Sequence, residues 1–158
     1  MKSLFSWLFP PKAALSRLDA LVLDGVREQL GPSMAGRWAA QIASLTQIER
    51  APGRRLIHLR RTARSSTGSG GDMALPFDGE RTRLATLTLS IPGGFAPLRA
   101  DVHCQDGILS SIEYHDDSEW MEEAVRRNSA QHILVDCALA PAVAELVGRA
   151  APLAHGAA

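Results

Sequence analysis

Leu15, Leu18, Val22, Val26 and Leu30 recur at three- and four-residue steps, with Arg17, Asp24 and Glu28 off that line. The spacing predicts an amphipathic helix over residues 13–30. Gly31-Pro32 is the stop signal. Ser33 is placed to cap a second helix, on which Met34, Trp38 and Ile42 fall four apart, so Trp38 is expected in the core.

Beyond Ile42 the period changes to two. Leu45 to Arg50, the turn Ala51-Pro52-Gly53-Arg54, and Arg55 to Thr62 read as a hairpin. Residues 63–80 are rich in serine and glycine without periodicity and read as a flexible loop, from which Leu75-Pro76-Phe77 can dock back. Arg83 to Ile91 is a strand with Ala85, Leu87, Leu89 and Ile91 on one face. Leu98, Ala100, Val102 and Cys104 mark the inner face of the next. Asp106-Gly107 is a strong hairpin turn, leading into a fifth strand with Ile108, Ile112 and Tyr114 inward and Ser110 among them.

Ser118 can cap a short helix through Asn128. Gln131 to Leu139 reads as a sixth strand, with a helix as the rival reading. Pro141 suits the first turn of a last helix over 141–150. The expected fold is α+β: two N-terminal helices packed on one face of an antiparallel meander of five or six strands, with a C-terminal helical segment. It forms one domain over residues 12–151, between an apolar N-terminal segment, 1–11, and a frayed tail, 152–158. No internal repeat or domain boundary interrupts it.

The 158 residues, 46% of them hydrophobic and 22% charged, are one globular domain's worth. No stretch approaches the ~18 apolar residues of a membrane-spanning helix. Only Lys2 and Lys12 are lysine among 17 basic residues, and this arginine bias together with the many alanines fits a bacterial protein from a GC-rich genome. The MKSLFSWLF start is too short in its apolar run for a secretory signal and meets Pro10-Pro11 instead of a cleavage site. The expected compartment is the cytoplasm, where Cys104 and Cys137 are reduced thiols.

Candidate chemistry is sparse. The five histidines and two cysteines show no metal-ligand spacing, so no metal or other cofactor is expected. The cysteines sit among apolar residues and read as small core hydrophobes. The Ser69-Gly70-Gly71 tract lacks the pattern of a phosphate loop. Glu113 and His115 share a strand face, and a carboxylate beside an imidazole can transfer protons. They carry the alternative reading of a hydrolase or transferase.

Charge layout changes the picture more. The formal charge is zero, yet residues 1–64 carry +7 and residues 65–158 carry −7. The positive focus is the first hairpin and the negative focus is Glu113 to Glu123. In a simple meander these lie toward opposite edges, too far apart to neutralise each other. Each is then free to steer a partner of opposite sign. The expected function is therefore that of a small protein-binding domain, of adaptor or immunity type, without catalytic activity. Its candidate contact residues are Arg54, Arg55, Arg60 and Arg61, with Glu119, Glu122 and Glu123 opposite. The partner is an acidic protein, or a second copy of the chain in a weak homo-oligomer. Nucleic-acid binding by the Arg50–Arg64 hairpin is a further alternative, disfavoured by the neutral total and the lack of stacking aromatics in the hairpin. Phe5, Trp7 and Phe9 offer a peripheral membrane contact as a less favoured role for the N-terminal segment.

Overall fold

The computed structural model describes residues 15–61, 73–94, 96–127 and 132–150. The expected N-terminal segment 1–11, the 63–72 part of the loop and the tail 152–158 lie outside the described residues. The elements in chain order are α1 (Arg17–Ala43), β1 (Gln47–Arg50), β2 (Leu56–Arg60), β3 (Thr82–Ser90), β4 (Leu98–Gln105), β5 (Ile108–Tyr114), α2 (Glu119–Arg127), β6 (Leu134–Leu139) and α3 (Pro141–Ala150). The class is α+β, and residues 134–139 are strand.

The expected pair of N-terminal helices is instead one helical element, Arg17–Ala43, kinked at Gly31. It begins later than residue 13: Ser16 is the N-cap, accepting from the Asp19 amide while the Asp19 carboxylate accepts from the Ser16 amide. This reciprocal capping box satisfies two amides left over at the helix start. Gly31, at φ 74° and ψ 167°, breaks the helical dihedrals, and Pro32 follows it without an intervening loop. The two arms fold against each other at that point. Trp38 Nε1 donates to the Leu23 carbonyl at 3.0 Å, across 15 residues; a straight helix would separate such residues by about 22 Å.

Six antiparallel strands form one sheet in the order β1-β2-β5-β4-β3-β6. This corrects the simple meander. β3, β4 and β5 run consecutively, but the β1–β2 hairpin docks on β5, and β6 returns to pair with β3. The inner face of β5 also differs from expectation. Cys104 pairs with Leu109 and His103 with Ser111, so Ser110 is the extra residue of a bulge and donates its hydroxyl to the His103 carbonyl at 3.1 Å. The bulge resets the alternation, and Leu109 is buried in place of Ile108.

α1 lies on the sheet across β3, β5 and β6, with α2 and α3 against it. The helix approaches the sheet closely at Gly25, where a methyl group would sit 2.9 Å from both Leu87 and Val135. Trp38, Leu30, Leu87, Leu89 and Ile112 are fully buried between the layers, as the helical and strand spacings implied, and Leu23 joins them. Leu75 docks as expected: it is buried, and its amide donates to the Gly107 carbonyl at 2.9 Å.

Candidate functional site

A cleft of about 950 Å³ opens where the first turn of α1, the β1–β2 turn and α2 meet. The β2–β5 pairing creates it. That register sets the hairpin beside the strand whose end leads directly into α2. Ser16 and Arg17 come from α1 and Arg54 from the turn; Trp120 and Glu122 stand on α2. Within the turn, Gly53 and Arg54 both have positive φ, 83° and 55°. For arginine this is an uncommon backbone.

A polar network adjoins the cleft lining through Glu122 and Arg54. Asp19, fully buried, accepts from the Tyr114 hydroxyl at 3.0 Å and from Arg50. Arg50 also reaches Glu122 at 3.4 Å, and Arg54 reaches the same carboxylate at 3.7 Å. Burial, and then the Asp19 charge, push the Tyr114 phenol far above its ordinary value. Tyr114 is therefore a neutral donor at neutral pH.

The hairpin arginines and the α2 acids thus meet. The expectation that they occupy opposite sheet edges fails because β2 skips over β3 and β4 to pair with β5. Of the seven contact residues read from the sequence, Arg54, Glu119, Glu122 and Glu123 line this one cleft, while Arg55, Arg60 and Arg61 do not. Arg55 is exposed on the hairpin. Arg60 pairs with Glu49 at 3.6 Å. Arg61 turns inward and closes the C-terminus of α1: its guanidinium donates to the Gln41 carbonyl at 2.8 Å, the Ser44 hydroxyl at 2.6 Å and the Leu109 carbonyl at 3.3 Å. A cation suits the unsatisfied carbonyls of a helix end, and burial lowers the Arg61 pKa.

On α2, Glu123 accepts from Arg126 at 2.6–2.8 Å, and from Arg127, one turn away. These bonds hold the Glu123 carboxyl below the usual range. Trp120, half-buried, is the aromatic wall of the cleft and also borders an apolar depression of about 370 Å³ beside Pro97 and Leu98. The sequence reading passed over Trp120, Arg17 and Arg126. The signal for Trp120 was a lone tryptophan inside the acidic run Ser118-Glu119-Trp120-Met121-Glu122.

Glu113 and His115, the proposed acid/base pair, take separate partners. Glu113 pairs with Arg81 at 2.8 Å. His115 Nε2 lies 3.0 Å from Asp101, which also accepts from Thr86 at 2.6 Å. Burial opposes ionisation of Asp101, but the bonds from Thr86 and His115 outweigh it and keep its pKa below the ordinary value. Cys104 is fully buried and Cys137 half-buried. Among the described residues no group of three or more metal-ligating side chains converges, and no helix is long and apolar enough to cross a membrane.

What the fold and the cleft define is an α+β protein with its helices on one sheet face and a two-signed cleft at one end. No protein-family model, curated protein or solved structure matches the chain.

Proposed function

We propose that the protein is a protein-binding domain whose contact site is the cleft between α1, the β1–β2 turn and α2. The observation that carries the reading is Trp120, half-buried on the cleft wall between cations, Arg17, Arg54 and Arg126, and anions, Glu119, Glu122 and Glu123. Tryptophan and arginine are the side chains that most often dominate binding energy at protein interfaces. Charges of both signs around them set orientation and exclude mismatched partners. The matching ligand is a polypeptide segment with an apolar side chain for Trp120 and flanking charges of both signs. This replaces the whole arginine hairpin as the contact surface, since Arg61 is committed to α1.

The test is capture of the partner from the protein's own cells, followed by titration calorimetry with both proteins purified. Trp120→Ala and Arg126→Glu are expected to weaken binding by at least about tenfold, the effect of losing about 1.4 kcal/mol. Arg60→Glu, outside the cleft, is expected to bind as the unaltered protein does. Unchanged affinity in both cleft variants would overturn the reading.

A further inference from the structure

The two edges of the sheet differ. β1 has four residues, Gln47-Ile48-Glu49-Arg50, of which two are charged. Short length and charge are the usual guards of a sheet edge. β6 has six residues, Leu134-Val135-Asp136-Cys137-Ala138-Leu139, and Asp136 is its only charge. Leu134 is 59% exposed, the largest exposure of any large hydrophobic among the described residues.

The ladder shows which backbone groups of β6 are free. The Ala140 amide donates to the Leu84 carbonyl at 2.9 Å. In an antiparallel pair, hydrogen-bonded positions alternate with non-bonded ones. Counting along the register from Ala140, residues 138, 136 and 134 bond to β3, opposite Thr86, Thr88 and Ser90. The amides and carbonyls of Val135, Cys137 and Leu139 therefore point away from the sheet. Among the described residues nothing bonds to them. Their side chains, half-buried, lie on the helix-covered face.

We infer that β6 is the contact through which two copies of this chain join, edge to edge, into one continuous antiparallel sheet. The strand is complementary to itself in a register centred on Cys137. Cys137 then faces Cys137 of the second copy, and Val135 faces its Leu139, so every outward amide meets an outward carbonyl. About six backbone hydrogen bonds close in this way. The inner-face neighbours are all apolar or thiol. On the outer face Asp136 lies opposite Ala138 of the second copy, twice by symmetry. The neighbouring register, centred one residue earlier, sets Asp136 against Asp136, and like charges directly opposite are unfavourable. The single charge of the strand thus selects the register that closes about six bonds over the one that closes about four. Such a two-fold contact is closed and does not propagate into a filament. It lies on the strand opposite the hairpin edge and is independent of the cleft.

Sedimentation equilibrium over a range of concentrations tests the contact, with two variants at the exposed residue Ala138. The unaltered chain is expected to reach a two-chain mass. Ala138→Asp sets acid against acid at both symmetric positions and is expected to weaken the dimer by about tenfold or more. Ala138→Lys sets a cation there and is expected to dimerise at least as well as the unaltered chain. Far-UV circular dichroism checks that both variants fold. A one-chain mass at every concentration overturns the inference. So does a dimer that survives Ala138→Asp unchanged, or one lost equally in both variants.

Discussion

The Tyr114 hydroxyl donates to the Asp19 carboxylate at 3.0 Å, tying the last residue of β5 to the first turn of α1 across 95 residues of chain. Arg50 bonds the same carboxylate from the hairpin. Three elements, α1, β1 and β5, therefore converge on one buried acid. Tyr114→Phe is expected to cost about 1.5–3 kcal/mol, the worth of a hydrogen bond to a charged group. Asp19→Ala leaves Arg50 and Tyr114 without their shared acceptor and is expected to cost about 3–5 kcal/mol. Urea denaturation of the two variants and their double mutant checks this. The coupling is real if the double mutant loses less than the sum of the singles.

Gly107 is the tightest of the described glycines. Its φ is 74°, and a methyl group there would sit 2.1 Å from the Leu75 carbonyl oxygen. Gly53 has a similar φ of 83° but open space around it. Gly53→Ala is expected to cost only the left-handed backbone penalty, about 1–2 kcal/mol. Gly107→Ala adds the displacement of the Leu75 segment and is expected to lower the melting temperature clearly further. Calorimetric melting of the two variants decides it, and equal losses would mean that the Leu75 contact is absent in solution.

Trp38 pins the bend of α1. It is fully buried and holds the Leu23 carbonyl from the opposite arm. Trp38→Ala is expected to cost about 3–5 kcal/mol from the lost burial. Trp38→Phe keeps most of the ring but not the indole donor and is expected to cost less than Trp38→Ala. Denaturant midpoints compare the three proteins. An alanine variant within about 1 kcal/mol of the unaltered chain would remove Trp38 from the core.

Burial pushes the Cys104 thiol up from 9.0 to about 12 and the Cys137 thiol to about 11. Between pH 9 and 12 the unfolded chain releases the Cys104 proton while the folded protein keeps it. The unfolded state then binds fewer protons, so stability falls as pH rises, by about 1.4 kcal/mol per pH unit for that one group. Replacing Cys104 with alanine is expected to flatten this alkaline slope, measured as urea midpoints across the range. At neutral pH both thiols are expected to label slowly with a maleimide, Cys104 only as the protein unfolds. Rapid labelling of Cys104 would contradict its burial.

Element type was largely legible. The alternations at Ala85-Leu87-Leu89 and Leu98-Ala100-Val102 and the Asp106-Gly107 turn are local signals, and each structure they imply is present. Strand neighbours were not. Nothing within Leu56–Arg60 says that its partner is β5, because alternation records which face is buried and not what lies beside it. That one pairing undid the separation of charges and gathered four of the seven candidate residues into a cleft. Arg61 was misread for a related reason. An arginine at a strand end looks like a surface charge unless the helix end it closes is known. The Ser16-Arg17-Leu18-Asp19 capping box was legible, but the apolar line starting at Leu15 drew the helix start too early.

The sheet order also bears on how the chain assembles. β3, β4 and β5 follow one another through short turns and fill the middle of the sheet, so their pairing closes small loops. The layer above them depends on much more distant partners. The first arm of α1 rests at Gly25 against Val135 of β6, so the beginning of the chain packs on nearly its last strand. On a ribosome, α1 emerges long before β6 exists and must wait with its apolar face uncovered. β6 and the first arm of α1 are therefore expected to join last and to open first. In the single chain, as in dilute Ala138→Asp protein, amide exchange should be faster in β6 than in β4, and the nascent chain is most exposed to aggregation just before residue 134 leaves the exit tunnel.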